Sequence, residues 1–105
     1  MNTVVSDWQV VSIIEEGELI GKVLWCICID DSTCRFSKGD YICTSQILEV
    51  NTNTRIIKTV SGSSYQLLGK GEKDEIEFKD FELLRNGFSP SQIHFMNSVT
   101  GKYQH

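Results

Sequence analysis

The chain has 105 residues, 40% of them hydrophobic and 23% charged, with a formal net charge of −4. That length reads as a single domain, 1–105 throughout, and the composition is rich enough to build a core without disulfides or a structural metal. The negative balance and the scattered lysines and arginines exclude a broad phosphate-binding face, so nucleic acid is not an expected partner.

Met1-Asn2-Thr3-Val4 lacks the basic segment and long apolar run of a secretory signal. The longest apolar stretch, Val23 to Ile29, is too short to span a bilayer, so the expected setting is cytoplasmic, away from membranes. No repeat, low-complexity tract or linker interrupts the chain.

In chain order, Ser6-Asp7-Trp8-Gln9 has the form of a capping box and predicts a short N-terminal helix within residues 6–18. Val10, Val11, Ile13 and Ile14 pull the other way, because β-branched side chains fit a pleated surface better. Beyond Gly17, Leu19 to Ile29 reads as a long strand. Trp25, Ile27 and Ile29 fall on one face of it and Leu24, Cys26 and Cys28 on the other. Two apolar faces mark a central strand covered by a helix on at least one side. The run Asp30-Asp31-Ser32-Thr33 ends it in turn-forming residues.

Strands are then predicted at Tyr41 to Leu48, Arg55 to Val60 and Ser64 to Leu68, joined through Asn51-Thr52-Asn53-Thr54 and Ser61-Gly62-Ser63. Gly69-Lys70-Gly71 is read as a turn and linker that ends this meander. From Ile76 or Phe78 through Phe81, Leu84 and Phe88, apolar residues recur at helical spacing, with Gly87 as the residue after the helix end. The acidic run from Glu72 to Glu82 becomes the solvated face of that helix. Ser89, Pro90 and Gln92 form a second capping box, opening a helix that turns Ile93 and Met96 inward and ends before Gly101. The expected fold is α+β: an antiparallel meander of about four strands packed by C-terminal helices.

The four cysteines, Cys26, Cys28, Cys34 and Cys43, lack the paired spacing of structural zinc sites and read as reduced thiols, with no metal and no cofactor. Asp30-Asp31 and Glu15-Glu16 read as solvated turn and helix-end carboxylates, without acid–base roles. No nucleophile lies in an activating context, so the chain is not read as an enzyme. The remaining catalytic alternative pairs Cys43 or Cys34 with His94; His105 is the last residue. Aromatics offer the other opening. Trp8, Trp25, Tyr41, Tyr65 and Phe81 are the candidate ligand or partner surface, with Trp8 standing outside the predicted sheet.

Gly39-Asp40-Tyr41-Ile42-Cys43-Thr44-Ser45, Ile57-Lys58-Thr59, Ser61-Gly62-Ser63-Ser64-Tyr65-Gln66-Leu67 and Leu84-Arg85-Asn86-Gly87-Phe88-Ser89-Pro90 resemble segments of small uncharacterised proteins of bacterial phages, plasmids and integron gene cassettes. The resemblance spans roughly residues 19 to 96 and implies one antiparallel sheet with flanking helices and an accessory role in mobile elements. It carries no catalytic residue.

Two functions follow as expectations. The first is a non-enzymatic accessory protein that binds another protein, as an inhibitor or as a homodimeric module. The alternative is a small-molecule binding protein with an apolar cavity between sheet and helices, lined by Trp25, Tyr41, Tyr65 and Phe81.

Overall fold

The computed structural model describes residues 2–102. Its first two elements are long strands, β1 (Thr3–Glu15) and β2 (Glu18–Asp31), joined by Glu16 and Gly17. Both linking residues have positive φ, 52° and 81°, which is the backbone of a tight hairpin turn whose twist matches its strands. β3 (Tyr41–Asn51), β4 (Ile56–Thr59) and β5 (Ser64–Leu67) continue antiparallel, each pairing with the strand before it.

The sheet then closes. β5 returns to β1 and pairs with it in parallel, Thr3 beside Tyr65 and Val5 beside Leu67, while β2 holds the other edge of β1. Five strands thereby form a ring. β6 (Glu72–Glu77) continues along the same edge of β1, parallel to Gln9 through Ile14, and completes a six-stranded mixed sheet. The α+β class is as expected, but the four-stranded antiparallel meander is corrected. Local pairing brings β2 to β5 together as antiparallel neighbours, and only the long first strand lets the sheet curl shut.

The expected N-terminal helix is also corrected, because Ser6 through Glu15 lie in β1. The Ser6 hydroxyl contacts the Asp7 carboxylate at 3.4 Å and caps no amide. Asp7 has φ 48°, and three steps of β1 from Ser6 to Gln9 span only two of β2 from Ile27 to Trp25. That extra residue is a β-bulge, and it exchanges the faces of the strand. Before it Val5 points into the ring. After it Trp8 and Val10 do, while Val11 and Ile13 face outward.

Two cores result, back to back across β1 and β2. Val5, Leu24, Cys26, Cys28, Ile42, Ile57, Tyr65 and Leu67 fill the ring. Val11, Ile13, Val23, Trp25 and Ile76 pack on the other face against Leu84 and Ile93. β2 divides as its alternation requires, even positions inward and Val23 and Trp25 outward.

The first C-terminal helix is shorter and later than the spacing implies. Residues Glu72–Glu77 form β6, a 3-10 turn follows at Phe78–Asp80, and α1 covers only Phe81–Arg85. The acidic run is thus largely an edge strand, where alternating Glu, Lys and Asp discourage pairing with another chain. α1 ends in a Schellman motif, the Phe88 N–H donating to Leu83 O and the Gly87 N–H to Leu84 O, with Gly87 at φ 105°. α2 (Pro90–Lys102) opens on the expected capping box. The Gln92 N–H donates to Ser89 Oγ at 3.2 Å and the Ser89 N–H to Gln92 Oε1 at 2.8 Å. It runs through Gly101 rather than stopping before it. His94 Nε2 lies 2.8 Å from Asp74 Oδ1, and Asn97 Nδ2 donates to Asp80 Oδ2 at 3.0 Å, fastening α2 to β6 and the 3-10 turn.

Candidate binding site at the barrel mouth

β1 and β5 run in parallel, so they begin at one end of the barrel and lead toward the other. The first end is closed by the β2–β3 loop. Asp31 organises it, accepting from the Thr33 N–H at 3.0 Å, the Arg35 N–H at 2.8 Å and the Phe36 N–H at 2.9 Å. Arg35 then reaches Ser63 Oγ at 2.9 Å, and Phe36 packs against the ring core.

The far end is open. A cavity of about 550 Å³ lies there, floored by Val10, Ile47, Ile57 and Leu67 and walled by Trp8. That volume is in the range of small-molecule sites, about 300–1,000 Å³. Trp8 is held by three neighbours. Its indole N–H is shared between Leu68 O at 3.2 Å and Gly69 O at 3.3 Å, and its ring lies so close over Gly71 that a β-carbon at that residue would fall inside the ring. Only glycine admits that approach.

Three cations stand round this opening: Lys22, Arg55 and Lys73. Register explains two of them. Val10 pairs with Lys73 and Ser12 with Lys22, and side chains paired across strands leave the same face. Glu72 also borders the mouth but pairs with Gln9, the alternate position of β1. Arg55 arrives from the β3–β4 turn, where Asn51 Oδ1 accepts from the N–H groups of Asn53 and Thr54 and Arg55 itself has φ 60°. Arg55 Nη2 donates to Gly69 O, the carbonyl that also receives Trp8.

A second concavity, about 480 Å³, lies outside the barrel between the β2–β3 edge and Phe78, Phe81 and Arg85. It opens where a bulge at Thr44–Ser45 separates β3 from β2, Thr44 Oγ1 taking the Leu24 N–H at 3.0 Å. Its aromatic pair stacks at 6.3 Å with Arg85 over Phe81, and the depression is more open to solvent than the mouth.

The five aromatics singled out from the sequence go to separate places. Trp8 walls the mouth. Tyr65 is buried in the ring core, and Trp25 in the outer core with no partner for its indole N–H among the described residues. Tyr41 lies on the surface beside Gly87 and donates its hydroxyl to Arg85 O at 2.9 Å. Phe81 borders the outer depression. They do not line one cavity between sheet and helices, because Trp25 and Tyr65 face opposite sides of the sheet.

The thiols are dispersed too. Cys26 and Cys28 are buried inside the ring, Cys43 sits opposite Trp25 on the other face, and Cys34 is exposed in the β2–β3 loop. Burial raises the thiol pKa of Cys26 and Cys28, and neighbouring Cys28, Cys43 and aspartates add to it. Burial likewise pushes Cys43 up to about 11 despite nearby Arg85. Thiols so raised stay protonated near neutral pH and are poor nucleophiles. His94 is engaged with Asp74, and the described residues hold no cluster of three or more His, Cys, Asp or Glu arranged for a metal. His105 lies outside the described residues.

Among the described residues no helix is long and apolar enough to cross a membrane. Comparison of the chain with family models, curated proteins and solved structures returns no match.

Lys22, Arg55, Lys73 and Gly71 were not among the sequence candidates. Gly71 was legible only as punctuation, since its role depends on Trp8, which lies far away in the chain. The cations join one another only once the sheet has closed.

Proposed function

We propose that the protein is a non-catalytic binding module that holds a small, largely apolar ligand in the mouth of its barrel. The observation that carries this reading is the fixed indole of Trp8, bonded to Leu68 and Gly69 and seated on Gly71 beside a cavity of about 550 Å³. A side chain held in place before the ligand arrives loses little conformational entropy on binding. The accessory role implied by the motifs would be exercised by sequestering or sensing such a ligand. Fluorescence titration with N-phenylnaphthylamine tests the proposal. Saturable one-to-one binding is expected, abolished by Ile47→Trp, which fills the mouth, and weakened by Trp8→Ala. Absence of binding, or binding indifferent to Ile47→Trp, rejects it.

A second reading, attachment to a protein partner or a second copy, has its own observation on α2. Phe95 is 69% exposed there, with Val99 exposed one turn further on and Phe88, just ahead of the helix, exposed beside it. Such a patch on a soluble surface is a place where chains associate. Sedimentation velocity is expected to show self-association reduced by Phe95→Ser; a monomer at all concentrations would count against the homodimeric form.

A further inference from the structure

We infer that the ligand of the barrel mouth is an organic anion, its apolar body against Trp8, Val10 and Ile47 and its acidic head between Arg55, Lys22 and Lys73. The inference rests on the mouth being the binding site and adds the chemistry of what enters it.

Charge is the first support. The chain is acidic overall, at −4, yet the mouth gathers three cations against one carboxylate. That carboxylate, Glu72, occupies the register position opposite Gln9, whereas Lys22 and Lys73 share the face of Val10. The salt bridges among the described residues are Lys58–Glu49, Arg85–Glu82 and His94–Asp74, so none of the three mouth cations is neutralised by a partner.

Placement is the second. Arg55 is anchored through its backbone on both sides, its N–H bonded to Asn51 O at 2.8 Å and its carbonyl receiving the Leu67 N–H at 2.9 Å and Gln66 Nε2 at 3.1 Å. Its guanidinium is fixed by Gly69 O on the carbonyl shared with Trp8. An aromatic wall and a planar cation therefore meet at one atom. A guanidinium carries five N–H donors, and those left over after Gly69 can take a carboxylate, sulfonate or phosphate oxygen in bidentate fashion. A neutral ligand would leave the three charges unused, and a cationic one would be repelled by them.

Two dyes with the same body separate the possibilities on the full-length chain: N-phenylnaphthylamine, which is uncharged, and anilinonaphthalene sulfonate, which carries the anion. At low ionic strength the sulfonate is expected to bind about tenfold more tightly, the combined effect of a few partly exposed charge contacts. The advantage should shrink toward unity in the double variant Lys22→Gln, Lys73→Gln, whose exposed positions leave the fold intact, and in Arg55→Gln. Equal affinity for the two dyes, or an advantage that survives all of these substitutions, overturns the anion assignment while the mouth remains a site. Binding of both dyes that persists in Ile47→Trp overturns the mouth itself.

Discussion

Asp31 shows how much a single side chain can organise. Its Oδ1 accepts from Thr3 Oγ1 at 2.9 Å, the Thr33 N–H at 3.0 Å and Thr33 Oγ1 at 2.6 Å, while Oδ2 accepts from the Arg35 and Phe36 N–H groups. Desolvation opposes the charge, but the hydrogen bonds from Thr33, Phe36 and Thr3 outweigh it and hold the carboxyl well below the usual carboxylate range. In the unfolded chain the same group takes up its proton near pH 4, roughly the reference value for aspartate. Its stabilising contribution is therefore complete above that pH and is lost as pH falls toward the folded value. Urea unfolding across the acid range is expected to show that loss, and Asp31→Asn should lower stability at neutral pH and flatten the acid limb. An acid limb unchanged in Asp31→Asn would contradict the assignment. From the sequence Asp31 was only a turn residue, because four of its five donors sit in a loop whose path no periodicity specifies and the fifth is in the first strand.

Elements were legible where their signals are local. The Ser89–Gln92 capping box is real because both partners and the amides they satisfy lie within one turn of chain. Ser89→Ala should cost about 1 kcal/mol, the usual worth of an N-cap, read as a drop in unfolding free energy; no change would mean that packing of Ile93 alone sets the helix start. The Ser6–Gln9 pattern has the same letters but sits among β-branched residues in the middle of a strand paired on both sides. Tertiary pairing overrode the local signal there. The bulge at Asp7 then concealed the strand from a period-of-two reading, since the inward set passes from odd to even numbers across it. Glu72–Glu77 failed for a different reason. An edge strand with one buried residue, Ile76, has no alternation to recognise, and its apolar neighbours downstream supplied a helical spacing that begins in earnest only at Phe81.

At the scale of the whole molecule, the sequence discloses the parts that pair with their neighbours and withholds the contact that makes them a barrel. The antiparallel steps from β2 to β5 are spelled out by turns such as Ser61-Gly62-Ser63, whereas the parallel seam between β1 and β5 has no sequence signature of its own. The mouth inherits this concealment. Trp8 comes from the first strand, Lys22 from the second, Ile47 from the third, Arg55 from the turn before the fourth, Gly71 from just ahead of the last and Lys73 from within it. The α+β class could be read from composition and spacing, but the site could not, because it exists only as a product of closure.

That seam also governs the order in which the molecule can be made. β1 leaves a ribosome about sixty residues ahead of its parallel partners, and pairings so distant along the chain are slow to form. Until Tyr65 to Leu67 arrive, the nascent hairpin exposes the Val5, Leu24 and Cys26 face and holds an open edge beside it. Refolding from urea is accordingly expected on the millisecond-to-second scale of β-rich domains, with Trp8 fluorescence in a Trp25→Phe background reporting the last step; a submillisecond recovery of that signal would show that closure is not limiting. Vulnerability to a wrong partner is thus concentrated in the interval before Tyr65 to Leu67 dock beside Thr3 to Val5.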